Sequence, residues 1–209
     1  MEANIKSIAV GKIVEYDKCG NIFKSAYKKD QFFDTIEVTE FGLNLDKQAD
    51  KKHHGGIDKA VHIGSYKHFK NYEMQYNKKL DKLAMGCNIF IDNFVESDIN
   101  VGDIYSIGDV KVEVTQPRQP CWKIGALFGK DVSRFIIKNS ATGWYVKILQ
   151  TGNININDKM VLQKRVSDIN IKELLDYLKN PPKEQKIIDK ILSIESLANS
   201  YKKDFKKVL

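Results

Sequence analysis

The sequence has few cysteines, few prolines and no long apolar run. Its 209 residues include three cysteines, at positions 19, 87 and 121, with no C-x-x-C spacing between them. Three cysteines cannot all pair with one another, so this pattern indicates a reducing compartment rather than a disulfide scaffold. No stretch approaches the roughly 18 consecutive apolar residues of a membrane span, and the N-terminus lacks a signal-peptide pattern. We therefore expect a cytoplasmic protein without a membrane partner.

The sequence has more basic than acidic residues, but the basic residues are not concentrated in one segment. The formal net charge is +7 and the pI is about 9.1, which suits either nucleic-acid binding or a pocket for anions. Most lysines lie in mixed stretches such as YNKKLDKL, and residues 165–209 hold ten basic and seven acidic residues, a net charge of +3. Because no segment shows a one-sided basic stripe, nucleic acid is disfavoured as a partner.

The pattern of apolar residues predicts a mainly β protein with some helices. From residue 5 to about 164, short alternating runs separated by turns indicate a barrel or a sandwich. A hairpin is predicted at Gly108-Asp109, and a turn at Thr151-Gly152 before a closing strand. Helices are expected over 65–77 and from Asp131, whose side chain suits an N-cap.

The composition changes after about residue 165. Asn170 followed by Glu173 resembles a capping box, and the apolar stripe after it ends at NPP, residues 180–182. Two further helical patterns follow. We therefore divide the chain into a β domain, 1–164, and a small three-helix module, 165–209.

The stretch TQPRQPCWK, residues 115–123, holds a cysteine on a stiff and cationic segment. Pro117 and Pro120 fix two φ angles, while Arg118 and Lys123 flank Cys121. Nearby cations favour the thiolate, which is the form that acts as nucleophile or metal ligand. Cys121 is therefore a candidate metal ligand; the alternative is a buried, inert cysteine beside a core tryptophan.

Two other stretches combine glycine with chemically active side chains. In residues 46–62, DKQADKKHHGGIDKAVH, glycines and cations are positioned to bind an oxyanion, although a polar surface loop is equally consistent with the composition. The spacing matches no zinc signature. The candidate ligand-binding residues of this stretch are Lys52, His53, His54, Gly55, Gly56, Asp58 and Lys59. In AMGCNIF, residues 84–90, Gly86 and Asn88 predict a turn entering a strand, and Cys87 alone reads as a small apolar filler.

Together these stretches resemble the MOSC family, domains similar to the C-terminal part of molybdenum-cofactor sulfurases, and within it the stand-alone YiiM-type group. The resemblance runs from VGKIVEY through KHHGG and DKAVH to QPRQPCWK and ATGWYVKILQTGNI, roughly residues 5–164, with the helical tail as the module that follows. It implies a barrel-like β domain, similar to the pyruvate-kinase β-barrel, with a pocket for the molybdenum cofactor.

The resemblance also implies roles for individual residues. The cysteine matching Cys121 is the presumed molybdenum ligand, and soft thiolate ligation suits such a metal. Arg118 and the Lys52 to Lys59 loop would line the pocket. The implied activity is reduction of N-hydroxylated compounds, such as hydroxylaminopurines. His54 is our candidate proton donor and His53 its competitor, because histidine titrates near neutral pH.

One departure from the family pattern concerns Cys87, which stands before Asn88 where the family usually has glutamate. If Cys87 faced the same pocket as Cys121, the two thiols would be able to form a disulfide or bind one metal. Cys87 and Asn88 are therefore included among the candidate cofactor-binding residues.

The sequence has no flavin or dinucleotide fingerprint and no cysteine cluster for iron–sulfur ligation. Electrons would come from a donor protein, a reductase or a ferredoxin-like partner, and the basic helical tail is a candidate docking place. No pyridoxal phosphate is expected. The alternative function is a non-catalytic carrier of the cofactor, or of a sulfur atom, on Cys121.

Overall fold

The structure is a computed structural model that describes residues 1–18, 20–50 and 55–209. Its strands, in chain order, are β1 (Glu2–Val10), β2 (Val14–Lys18), β3 (Asn21–Ser25), β4 (Gln31–Phe32), β5 (Thr35–Thr39), β6 (Gly42–Leu43), β7 (Val61–Ser65), β8 (Ile89–Ile91), β9 (Ile104–Ile107), β10 (Val110–Pro117), β11 (Trp144–Gln150), β12 (Gly152–Asn155) and β13 (Lys159–Lys164). Its helices are α1 (Lys67–Tyr76), α2 (Trp122–Phe128), α3 (Lys130–Lys138), α4 (Ile171–Lys179), α5 (Gln185–Ser193) and α6 (Asn199–Val208), and a 3₁₀ turn covers Ile57–Lys59.

Seven strands close into a barrel in the order β13-β9-β10-β11-β7-β8-β1, with β1 pairing back onto β13. The β7–β8 pair is parallel, whereas the other neighbours around the barrel are antiparallel. Strands such as β1 alternate exposed and buried residues along their first half, so one face packs inward. The expected barrel of a mainly β protein with helices is confirmed.

The predicted Gly108-Asp109 hairpin is confirmed: Val110 pairs with Ile107 across a two-residue turn. The chain breaks at Thr151, between β11 and β12, as predicted, but β12 lies between this break and the closing strand. Strand β12 pairs with β5 in a separate three-stranded sheet, and β13 then closes the barrel. Alternation alone cannot specify which partner a strand chooses.

The helix expected over 65–77 is confirmed as α1, and Asn77 ends it in the left-handed conformation with its N–H donating to the Glu73 carbonyl. Asp131 is wrong as an N-cap. Helix α3 begins one residue earlier, and the Asp131 carboxylate accepts from Arg134 Nη1 at 3.3 Å. Helix α2, directly after Cys121, was missed because the prolines indicated a continuing loop.

The helical tail begins with the predicted capping box. The Asn170 side chain accepts from the Glu173 N–H, and the Glu173 carboxylate accepts from the Asn170 N–H. Helices α4, α5 and α6 share their own apolar cluster, which includes Leu174, Ile191 and Tyr201. Ile171 of α4 instead belongs to the barrel core. The domain boundary near residue 164 stays a prediction.

No helix in the described residues is long and apolar enough to cross a membrane.

Candidate functional site

An open cavity of about 610 Å³, solvent at its mouth included, lies where the segment after β10 meets four other connecting segments of the chain. We call it the Arg118 cavity. Its lining comes from the β3–β4 connection, the segment after β6, the 3₁₀ turn before β7, the turn before β8 and the segment after β10. The lining includes Tyr27, Lys29, Asp46, Lys59, His62, Gly86, Asn88, Arg118, Cys121 and Tyr145.

Arg118 is the central charge of this cavity, and only 3% of its surface is exposed. Its Nη2 donates to Cys121 Sγ at 3.6 Å, and its guanidinium carbon lies 5.3 Å from the centre of the Tyr27 ring. Burial disfavours the charge, but the neighbouring Tyr27, Tyr145 and Cys121 raise the pKa of Arg118 above its ordinary value. Among the described residues no carboxylate pairs with this guanidinium. A buried cation of this kind is costly unless an anion binds beside it.

Cys121 is half-buried and stands just before α2 in an extended conformation. It is a free thiol, and Pro117 and Pro120 precede it on the segment that leaves β10. Arg118 N donates to the Gly143 carbonyl at 3.1 Å, which fixes the start of this segment. The sulfur is therefore accessible from the cavity on a backbone that is restrained on both sides.

His62, on β7, joins three parts of the cavity wall. Its Nε2 lies 2.8 Å from the Thr142 carbonyl and its Nδ1 lies 3.1 Å from the Gly86 carbonyl. Burial and the Arg118 charge lower the pKa of His62 to about 3. A neutral imidazole has one N–H and can donate to only one of the two carbonyls. His62 is thus a neutral wall residue near physiological pH.

A buried contact between Glu96 and His68 supports the same loop from behind. Glu96 accepts from the Gly143 N–H at 2.7 Å and lies 2.8 Å from His68 Nε2 on α1. Residues 142 and 143 in turn provide the carbonyls that meet His62 and Arg118. Glu96 is therefore connected to the cavity through one loop.

Glycine at position 86 allows the wall to close tightly. Gly86 has φ +64°, and a Cβ at this position would lie 2.8 Å from the Tyr27 ring. The Tyr27 hydroxyl donates to the Ala84 carbonyl at 2.9 Å, which holds the ring there. A side chain at position 86 would therefore displace the ring on which Arg118 packs.

Four lysines also line the cavity: Lys29, Lys47, Lys59 and Lys123. Lys29 Nζ pairs with both oxygens of Asp46, at 2.7 and 2.8 Å, so its charge is compensated. Burial lowers the pKa of Lys59, and the nearby Asp204, Asp58 and Asp50 oppose that shift. Asp204 belongs to α6, so the helical tail reaches the electrostatic surroundings of the cavity.

The structure brings together four of the residues predicted from sequence: Lys59, Asn88, Arg118 and Cys121 line the same cavity. The Asn88 amide is engaged in the wall, since it accepts from His62 N and donates to the Ala9 carbonyl. Lys52, His53 and His54 lie outside the described residues.

Four other predicted positions are not part of this lining. Gly55, Gly56 and Asp58 do not line the cavity; the Asp58 carbonyl accepts from Thr115 Oγ1 at 2.5 Å. Cys87 is 1% exposed, with its Sγ 3.6 Å from His62 Nε2, and it lines a neighbouring cavity. Burial raises the pKa of the Cys87 thiol, so it stays protonated at neutral pH.

Several lining residues were missed from the sequence. Tyr27 and Lys29 occur in a stretch with no motif of its own, and Tyr145 lies in the quoted stretch ATGWYVKILQTGNI but was not selected from it. His62 ends the quoted stretch DKAVH, but a single histidine on an apolar strand gave no reason to select it. Only the folded arrangement shows that these side chains surround Arg118.

The donor set suits the cofactor that the resemblance implies. One accessible thiol is available as a soft metal ligand, and the buried guanidinium beside it is suited to a phosphate or another anion. Within residues 1–18, 20–50 and 55–209, no group of three or more His, Cys, Asp or Glu side chains is placed to bind a metal ion. A metal held here by Cys121 would need its remaining ligands from the cofactor itself.

Comparison with known proteins agrees with this geometry. Protein YiiM of Escherichia coli (strain K12) is 28% identical over 187 residues, which is 88% of this chain and 84% of that protein. A protein of Gibberella moniliformis named Reductase is 29% identical over 163 residues, 76% of this chain but 29% of that protein. The crystal structure of YiiM from Geobacillus stearothermophilus superposes with a TM-score of 0.80 at 27% identity and covers 99% of both chains.

The sequence profile of the MOSC domain matches residues 50–161, which include the 3₁₀ turn, β7, the turn at Gly86 and the Arg118–Cys121 segment. This range covers more than half of the chain and most of the residues that form the cavity. The chain belongs to the MOSC domain family.

Proposed function

We propose that this protein uses a molybdenum cofactor, bound in the Arg118 cavity, to reduce N-hydroxylated compounds such as hydroxylaminopurines. One observation carries the proposal: the buried Arg118 guanidinium lies beside the accessible Cys121 thiol. Among the described residues, this guanidinium has no carboxylate partner. A structural arginine would ordinarily be paired or exposed. An arginine kept in this state is suited to an anionic ligand that binds beside the sulfur.

Family membership supports the same ligand, because MOSC domains are associated with the molybdenum cofactor. In this proposal Cys121 Sγ binds the metal, while Arg118 and Lys59 bind the phosphate of the pterin. The name Reductase of the Gibberella moniliformis relative supports the direction of the reaction.

When bound, the cofactor supplies two-electron redox chemistry at the metal. The overall reaction is R-NHOH plus two electrons and two protons, giving R-NH2 and water. The chain's own part is to orient the ligand and deliver protons. His62 is already neutral at neutral pH, and burial raises the pKa of the Cys87 thiol. Neither side chain is therefore a ready proton donor at that pH. His54 remains our proposed proton donor, with His53 as the competitor.

The electrons come from a donor protein in this proposal, either a reductase or a ferredoxin-like protein that docks on the basic helical tail. The reaction takes place in the cytoplasm, on a small-molecule substrate and without a membrane partner.

The test is the cofactor content of three proteins purified without oxygen from a host that makes the cofactor: wild type, Cys121→Ser and Cys87→Ala. We expect molybdenum and pterin in wild type and Cys87→Ala, and near-complete loss in Cys121→Ser. Metal is measured by mass spectrometry, and pterin by its fluorescence after oxidation.

The loaded wild type should then turn over 6-N-hydroxylaminopurine with reduced methyl viologen as an artificial electron source. Equal molybdenum in wild type and Cys121→Ser would contradict the assignment of the ligand. A loaded protein that does not turn over would contradict the reductase activity and favour the carrier.

A further inference from the structure

A second cavity lies on the other side of Gly86 from the Arg118 cavity. It has a volume of about 780 Å³, solvent at its mouth included, and it shares Lys29 and Gly86 with its neighbour. Strand β1, Phe32 of β4, the N-terminal end of α1, the turn before β8 and Phe90 form its walls. We call it the Phe69 cavity. The proposed reductase chemistry does not use it.

One wall of the Phe69 cavity is aromatic. The rings of Tyr66 and Phe69 lie 5.0 Å apart at 37°, and those of Phe69 and Phe90 lie 5.2 Å apart at 68°. Phe90 is buried, whereas Tyr66 is 47% exposed and Phe32, which also lines the cavity, is 57% exposed. Aromatic rings that face a cavity favour flat ring systems, which pack offset or edge-to-face against them.

The polar groups at this cavity are mainly cationic. Three lysines line it and no carboxylate does: Lys6 and Lys82 are exposed, and Lys29 is already paired with Asp46. Lys6 Nζ has only a 3.7 Å contact with Asp92, and Lys82 has no ion pair within the described residues. The cavity therefore presents two cations near its mouth that an anion can engage.

The floor of the cavity is neutral. Cys87 lies there beneath the aromatic wall, and burial keeps its thiol protonated. Gly64 leaves the space that the sulfur occupies, because a Cβ at position 64 would lie 2.4 Å from Cys87 Sγ. A ring can rest on such a floor, while a charged group is favoured only at the rim.

We propose that the Phe69 cavity is a second binding site, for a flat aromatic acid whose ring packs on Phe69 and Phe90 and whose anionic group pairs with Lys6 and Lys82. A ligand site is usually a concave, largely apolar cavity with a few polar groups that fix orientation, and this cavity fits that description. The class includes aromatic carboxylates and nucleotide phosphates, which share a ring and an anion. The site is independent of the proposed reductase activity.

The experiment is calorimetric titration of the full chain with 2-naphthoate and with AMP, as the carboxylate and phosphate probes. Two comparison compounds separate the contributions: 2-naphthylmethanol has the ring without the charge, and cyclohexanecarboxylate has the charge without a flat ring. We expect one of the two acids to bind at a single site, and both comparison compounds to bind at least about tenfold more weakly.

Variants then locate the site. Lys6→Gln combined with Lys82→Gln should weaken binding about fivefold to tenfold, since each partly exposed charge contributes modestly. Phe69→Leu should weaken it while keeping an apolar side chain at that position. The matched control is Lys79→Gln, which removes a lysine close in sequence that does not line the cavity; it should bind as wild type does.

Circular dichroism confirms that each variant is folded. Absence of binding by both acids at millimolar concentration would overturn the proposal. Binding that is unchanged in both the lysine double variant and Phe69→Leu would also overturn it.

Discussion

Cys121 and Cys87 are two thiols of one small protein in opposite surroundings. Cys121 is half-buried, and a guanidinium donates to its sulfur at 3.6 Å. Cys87 is 1% exposed, contacts a neutral histidine at 3.6 Å and has a raised pKa because of burial. Arg118 is close enough to influence both. The difference leads us to expect that Cys121, which opens to the cavity, is the chemically available thiol of the two.

Cys87 does not share a cavity with Cys121. A second thiol in place of a carboxylate suggested a partner for Cys121 in a disulfide or at a metal. In the structure the two sulfurs line different cavities that share Gly86 and Lys29. Cys87 packs in a buried apolar cluster with Met85 and Phe90, as expected for a small apolar filler.

The largest expected difference is in alkylation. With iodoacetamide at neutral pH, the native protein should be modified at Cys121 at least about 100-fold faster than at Cys87. Burial both excludes the reagent from Cys87 and keeps that thiol protonated, whereas Cys121 opens to the cavity. Peptide mass spectrometry at timed intervals measures the two positions separately.

Denatured protein is the control, because there the two rates should become similar. Comparable rates in the native protein would mean that the Cys87 surroundings open readily. That result would mean that the two thiols do not differ in accessibility to the reagent.

The second effect is on the free energy of unfolding and concerns Arg118, the cation close to both thiols. Arg118→Met should change the free energy of unfolding of the cofactor-free protein by less than about 1 kcal/mol, because the guanidinium has no carboxylate partner among the described residues that the substitution would leave unpaired. Lys29→Met is the matched control. It removes a cation that is also buried but is paired with Asp46, and it should destabilise the protein by about 3 kcal/mol.

Urea unfolding of the cofactor-free proteins measures both changes. If both substitutions destabilise to the same extent, the guanidinium is a structural group, and the argument that it awaits an anion is wrong.

Much of the barrel was predictable because it depends on local patterns. Alternating apolar residues and turn pairs such as Gly108-Asp109 indicate strands and hairpins directly, and the Asn170 capping box is a short-range signal. The partner of β12 was not predictable, because a strand's alternation is satisfied by any apolar neighbour. Helix α2 was missed because Pro120 precedes it closely, although proline restricts only the residues before it and not those that follow.

The cavity was predictable only where a motif marked it. Arg118 and Cys121 lie on one stretch, and Lys59 and Asn88 in two others that the family resemblance linked. Tyr27 and Lys29 come from a connection without any motif, so only the closure of the barrel brings them beside Arg118. His62 was hidden for a different reason: its role depends on two carbonyls that are distant in sequence, at residues 86 and 142.

The smallest effect expected here concerns His62, whose Nε2 lies 3.6 Å from Cys87 Sγ. Its pKa is about 3 in the folded protein and near 6.5 when unfolded, so below about pH 6.5 only the unfolded chain binds this proton. Stability should therefore fall as the pH falls through that window toward 3. From about pH 7 to about pH 5.5 the loss from this group is about 1 kcal/mol. Urea unfolding of wild type and His62→Gln at both pH values measures it, because the variant lacks this component while other titrating groups stay. Parallel losses would mean that the pKa of His62 is the same in the folded and the unfolded chain. A smaller loss in wild type than in His62→Gln would mean that the native imidazole is already protonated and donates to both the Gly86 and Thr142 carbonyls. His62 would then be a second buried cation beside Arg118, and the anion-binding character of the cavity would be stronger than a single guanidinium provides.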